Sequence, residues 1–167
     1  MSRLRGEAMI VVGMAQWRVS DDPAATLAIV GLGSCVGLVL YEPGRKIAAM
    51  AHVLLPDSRA AQEVPQPAKF ADTAVPLLCT VLKERGARPD LLVAKVAGGA
   101  RMFRSAGPGP ALGARNVDAV MAALAAANIP VLASDVGGTA GRTIRFQLGT
   151  LALEVASGDP RASRVIL

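Results

Sequence analysis

The chain has 167 residues, 52% of them apolar and 19% charged, which suits one packed domain spanning residues 1–167 rather than a disordered tail. Aromatics are only 3%, so the core must come from Val, Leu, Ile and Ala, and a base-stacking surface for single-stranded nucleic acid is not expected. The net charge is +5, but its densest pairs, Arg3/Arg5 and Arg161/Arg164, lie near the two ends, which argues against a nucleic-acid partner.

At the start of the chain, "MSRLRGEAMIVVGMAQW" joins basic residues to an apolar run too short for a secretory signal, with no A-x-A site behind it. No stretch reaches the roughly 20 apolar residues of a membrane span. Two cysteines make no disulfide framework, so a reducing cytoplasm is the expected setting. Residues 8–18 are β-like with a glycine break, and "DDPAA" is a turn. Residues 26–31 and 35–42 read as strands, "PGRK" as a turn and 46–54 as the returning arm of a hairpin. Centring that turn on residues 43–44 sets Cys35 opposite His52, on one face. Residues 55–67 are a Pro-rich loop, and 68–87 are helical, with Pro76 either kinking the helix or starting its main segment. A strand at 91–97, a Gly/Pro loop, a helix over 116–128, a strand at 129–136 and a closing hairpin over 143–155 complete the chain. Strands arriving mostly as hairpins predict an α+β layered domain.

Cys35 and His52, the only histidine, are the candidate chemistry. A neighbouring imidazole lowers a thiol's pKa and can shuttle its proton, and the N–H groups of a glycine-bent turn around residues 33–36 can hold an oxyanion. Cys79, in "VPLLCTVL", reads as helix core filler. One Cys and one His do not complete a zinc site, and no CxxC or HExxH occurs. "GLGSCVG" leads into a β-branched run where a dinucleotide site needs a helix. "GGTAGRT" is one residue short of a phosphate loop, with Arg142 where Lys belongs. Phe103 follows a Gly-Gly bend and has two readings, a plug for the end of the core or an exposed anchor for a partner.

Five stretches in order, "GLGSCVGLVLYEPGRKIAAMAHVLLPDS", "KFADTAVPLL", "AKVAGGARMF", "GARNVDAV" and "DVGGTAGRTIRF", resemble the chemoreceptor glutamine deamidases (CheD), over a core of about residues 9–156. The resemblance implies a three-layer α/β/β sandwich with two main helices. It also implies a cysteine hydrolase, needing no metal or cofactor, that converts selected glutamines of methyl-accepting chemotaxis receptors to glutamate. The family's nucleophile and base fall on Cys35 and His52. Its third catalytic residue, a threonine, falls on Ile29, so Ser34, Thr26 or a backbone carbonyl would have to orient the histidine. Loops 98–113 and 136–141 are expected to frame the site. Some family members bind a CheC-type chemotaxis phosphatase, so the alternative is a mainly regulatory binding partner. A protein methylesterase or a small-amide hydrolase on the same dyad is a further rival.

Overall fold

The computed structural model describes residues 8–59, 61–62, 66–103 and 107–167; the Arg3/Arg5 pair lies outside them. In chain order the strands are β1 (Ala8–Val11), β2 (Trp17–Ser20), β3 (Ala25–Leu32), β4 (Val36–Glu42), β5 (Ile47–Val53), β6 (Val93–Gly98), β7 (Val131–Val136), β8 (Arg142–Gln147), β9 (Ala152–Ser157) and β10 (Val165–Ile166). Helix α1 (Ala71–Glu84) follows β5, and α2 (Leu112–Ala126) joins β6 to β7. The strands form two five-stranded sheets, one ordered β1-β3-β8-β9-β10 and the other β2-β5-β4-β6-β7.

Period-two alternation sorts the side chains into layers. In β4 and β5, Leu38, Leu40, Ala49 and Ala51 point to the helices, while Val39, Tyr41, Ala48 and Met50 point to the other sheet. The helix side of the second sheet is covered by the apolar stripes of α1 (Ala74, Val75, Leu78, Leu82) and α2 (Val120, Leu124). Between the sheets, Leu27, Ile29, Leu32, Ile144 and Phe146 complete a second core. The protein is therefore the α+β sandwich of helices, sheet and sheet that the sequence suggested. Burying one such side chain stabilises by roughly 1.5–3 kcal/mol, which is why a chain poor in aromatics can still hold two cores.

Several local expectations change. β1–β3 and β6–β7 are parallel pairs; only β4–β5 and β8–β9 are tight hairpins. A parallel pair needs a crossover, and α2 supplies it between β6 and β7. α2 starts four residues earlier than Asn116, the start that its apolar pattern suggests. α1 runs unbroken through Pro76, which lies beyond its first turn. The β4–β5 turn takes four residues, closed by the Lys46 N–H on the Pro43 carbonyl, so the register differs by two residues from the expected one. Gly37, not Cys35, faces His52.

Candidate active site

Consecutive strands β3 and β4 belong to different sheets. Gly33, Ser34 and Cys35 are the corner where the chain crosses between them. This corner is held on two sides: the Ala100 N–H donates to the Gly33 carbonyl (2.9 Å), and the Gly99 N–H donates to the Cys35 carbonyl (2.8 Å). The approach demands glycine at 98, where φ is +113° and a Cβ would sit 2.4 Å from the Cys35 oxygen. Among the described residues, no carbonyl accepts the N–H of Ser34 or Cys35. Burial pushes the Cys35 thiol above its ordinary value, and its own backbone amide offsets only part of that rise.

His52 lies in the same layer. Its parity with Ala48 and Met50 points the imidazole between the sheets, and it is 3% exposed. The two-residue change of register keeps that face, because the side-chain period is two. Cys35 is thus a diagonal rather than a direct neighbour of His52, a relation that spans about 7–8 Å between backbones and less between side chains. The facing position needs a glycine for space: a Cβ on Gly37 would sit 2.4 Å from Ile144 Cδ1 and 3.3 Å from Ile29 Cδ1.

The segment before β2 bends over His52. The Val12 N–H reaches the Ala28 carbonyl of the first sheet, while Ala15 and Gln16 bond the His52 backbone in the second (3.2 and 3.0 Å). The carbonyls of Val12 and Gly13 consequently lie beside the ring and favour its protonated form. Burial is the larger effect and holds the imidazole below its usual pKa, so the ring is neutral at physiological pH. Neither ring nitrogen completes a hydrogen bond of good geometry among the described residues. Such contacts are commonly loose in unliganded sites and tighten when substrate arrives.

Ile29 is fully buried between the sheets. Of the groups weighed as substitutes for a hydroxyl there, Thr26 stands three positions along β3, so it faces the opposite side of its sheet and lines a separate hollow with Pro23, Gln147 and Thr150. The carbonyls of Val12 and Gly13 are the groups that reach the ring.

Cys35 opens onto a surface cleft of about 400 Å³ that Ser34, Ala100, Met102, Phe103 and Leu112 also line. Phe103 is 86% exposed, so it is no core plug. Loop 98–113 frames the cleft where it is described, and loop 136–141 buttresses it: the Gly137 N–H bonds the Gly98 carbonyl, and the Arg101 N–H bonds the Gly138 carbonyl. Arg142 is turned inward. It pairs with Asp135 (2.9 Å) and donates to the carbonyls of Gly98 and Gly137, which removes the phosphate-loop reading of "GGTAGRT". Cys79 is half-buried on α1 against the helix-side core, as expected of filler.

Asn116 and Arg142 were not among the residues singled out from sequence as supports. The signal for Asn116 was a polar residue within the buried stripe Gly113, Asn116, Val120, Leu124 of α2. Arg142 carried no comparable signal, because its partners come from β6, β7 and the loop after β7.

A family model described as CheD chemotactic sensory transduction matches residues 54–157; Cys35 and His52 precede that segment. A probable chemoreceptor glutamine deamidase CheD of Symbiobacterium thermophilum is 49% identical over 154 residues, covering 90% of this chain and 91% of that protein. The chemoreceptor glutamine deamidases CheD of Halalkalibacterium halodurans and Thermotoga maritima are 46% and 41% identical, covering 88% and 89% of this chain and 92% and 94% of theirs. Among solved structures, YlmD from Geobacillus stearothermophilus is similar at 11% identity and a TM-score of 0.45, over 80% of this chain and 61% of that one. Matched along nine-tenths of its length at up to 49% identity, the chain belongs to the CheD family.

Proposed function

We propose that this protein is a cysteine-dependent deamidase that converts glutamine side chains on the cytoplasmic part of chemotaxis receptors to glutamate. The observation that carries this reading is the placement of Cys35. It is the one side chain with a nucleophilic thiol at a corner open to solvent, in the same layer as a buried, neutral histidine. The names of the relatives supply the substrate class.

His52 takes the Cys35 proton as the sulfur attacks the amide carbon of the glutamine. Because burial holds the thiol protonated and the imidazole neutral at rest, the proton moves during attack rather than in a standing ion pair. The carbonyl oxygen becomes an oxyanion, which the N–H groups of Ser34 and Cys35 are free to bind. His52 returns the proton to the departing nitrogen, releasing ammonia and leaving a thioester. Water attacks the thioester, His52 removes its proton, and glutamate and the free thiol result. A reducing cytoplasm keeps the thiol available. The cleft is open to solvent and mostly apolar, lined by Met102, Phe103 and Leu112, which suits a glutamine on the surface of a receptor helix rather than a free small amide.

A second reading, favoured by Ile29 at the place of the family threonine, makes the chain chiefly a regulatory partner of a CheC-type phosphatase. Incubation with receptor cytoplasmic domains separates the two. The deamidase reading expects ammonia release and glutamine-to-glutamate changes at discrete receptor positions by peptide mass spectrometry. Unchanged receptor peptides, with binding of the phosphatase intact, would leave the regulatory reading.

A further inference from the structure

We infer that Asn116 is a positioning residue for the nucleophile, holding the Ser34–Cys35 peptide so that its N–H faces the thiol and the developing oxyanion. The inference rests on the deamidase reading for its catalytic consequence, but not for its geometry. Asn116 is fully buried in the second turn of α2. Its Nδ2 donates to the Ser34 carbonyl (3.0 Å), immediately before Cys35, and to the Leu54 carbonyl (2.9 Å), two residues after His52. One amide group thus ties the nucleophile's corner to the end of the histidine's strand. Both neighbours are acceptors, so the NH2 side must face them, and Oδ1 is left buried with no donor among the described residues.

That orphan oxygen is the informative feature. A buried acceptor without a partner destabilises the fold, and an apolar side chain in this stripe would avoid it. What an apolar residue cannot do is grip two carbonyls. In a planar trans peptide the C=O and N–H point in opposite directions, so fixing the Ser34 oxygen fixes the direction of the Cys35 N–H. Asn116 pulls the oxygen toward α2, and the N–H therefore points away from α2. Without that grip the corner is still held at the Gly33 and Cys35 carbonyls, but nothing fixes the Ser34–Cys35 peptide between them, and the thiolate and the oxyanion lose an aligned donor. The helix packs close to the corner: a Cβ on Gly113 would sit 2.5 Å from the Gly99 carbonyl oxygen, so this approach of α2 requires glycine there.

The test uses the full chain in a Cys79→Ala background, so that Cys35 is the only thiol. Asn116→Ala is compared with its parent by melting temperature, by the rate of iodoacetamide alkylation at pH 8, and by kcat and KM for receptor deamidation. The expected result is a folded protein whose alkylation rate falls roughly 5–10-fold, since losing a donor to the thiolate raises the thiol pKa and thins the thiolate at pH 8. In deamidation, kcat is expected to fall about 100-fold with KM little changed, as for loss of one oxyanion donor. Alkylation needs no receptor, so a parent that alkylates but does not deamidate would sink the deamidase reading and leave this comparison standing. A folded Asn116→Ala with unchanged alkylation overturns the inference. Should that variant not fold, Asn116→Ser, which can donate to one carbonyl, carries the same comparison; failure of both to fold would make Asn116 structural and overturn the positioning role.

Discussion

Replacing Ile29 by threonine isolates what orients the histidine. Ile29 is fully buried, and its Cδ1 lies 3.3 Å from the Cβ position of Gly37, the residue that faces His52 across the ladder. Threonine removes one methyl and turns a methylene into a hydroxyl. The lost methyl costs about 1 kcal/mol. The hydroxyl adds about 2 kcal/mol if it finds no partner, and little if it bonds the imidazole. In a chain of this size 1 kcal/mol moves the melting temperature by about 2–4 °C. An unpartnered hydroxyl therefore lowers it by roughly 9 °C, and a partnered one by roughly 3 °C. Because the carbonyls of Val12 and Gly13 already lie beside the ring, the larger drop is expected, with kcat for receptor deamidation within about threefold of the parent. Calorimetry and ammonia release measure the two quantities on one sample. A small drop accompanied by a tenfold or greater rise in kcat would refute the reasoning, since the hydroxyl would then be supplying an orientation the backbone does not.

The same burial makes stability pH-dependent. His52 has a folded pKa below its ordinary 6.5, so the unfolded chain takes up the proton first as pH falls. Its contribution is complete above pH 6.5 and is lost as pH falls toward the folded value. The melting-temperature difference between the parent and His52→Leu should therefore shift against the parent from pH 8 to pH 5; a pH-independent difference would mean the ring is not held neutral. Phe103→Glu at the rim of the cleft should leave the melting temperature nearly unchanged, because the ring is 86% exposed, while raising KM for receptor deamidation. A large fall in melting temperature would show that the ring packs.

The strands were legible because β3, β4 and β5 are near-continuous apolar runs and the "PGRK" turn is unmistakable. What could not be read was the turn's length. Two candidate centres one residue apart put His52 opposite Cys35 or Gly37, and the crowding by Ile144 and Ile29 at the position Gly37 takes is not visible in the sequence. The common face survived, since slipping by two preserves parity. The parallel pairings were hidden for a different reason: β1 is four residues long, and its partner is decided by tertiary packing rather than by any local turn. The sheet-crossing corner at residues 33–35 reads as a glycine-rich stretch, yet nothing local says that the strands on either side enter different sheets. Asn116 acts through the carbonyls of Ser34 and Leu54, distant in sequence, and Arg142 through that of Gly98 as well as the nearby Asp135 and Gly137; carbonyls carry no sequence signal.

Ammonia release from a receptor cytoplasmic domain, measured in parallel for Cys35→Ala and Cys79→Ala, tests the central claim most directly. Cys35→Ala should lose essentially all activity while remaining folded, and Cys79→Ala should keep most of it, because Cys79 lies on α1 against the helix-side core and away from the cleft. Full activity in a folded Cys35→Ala protein would contradict the account.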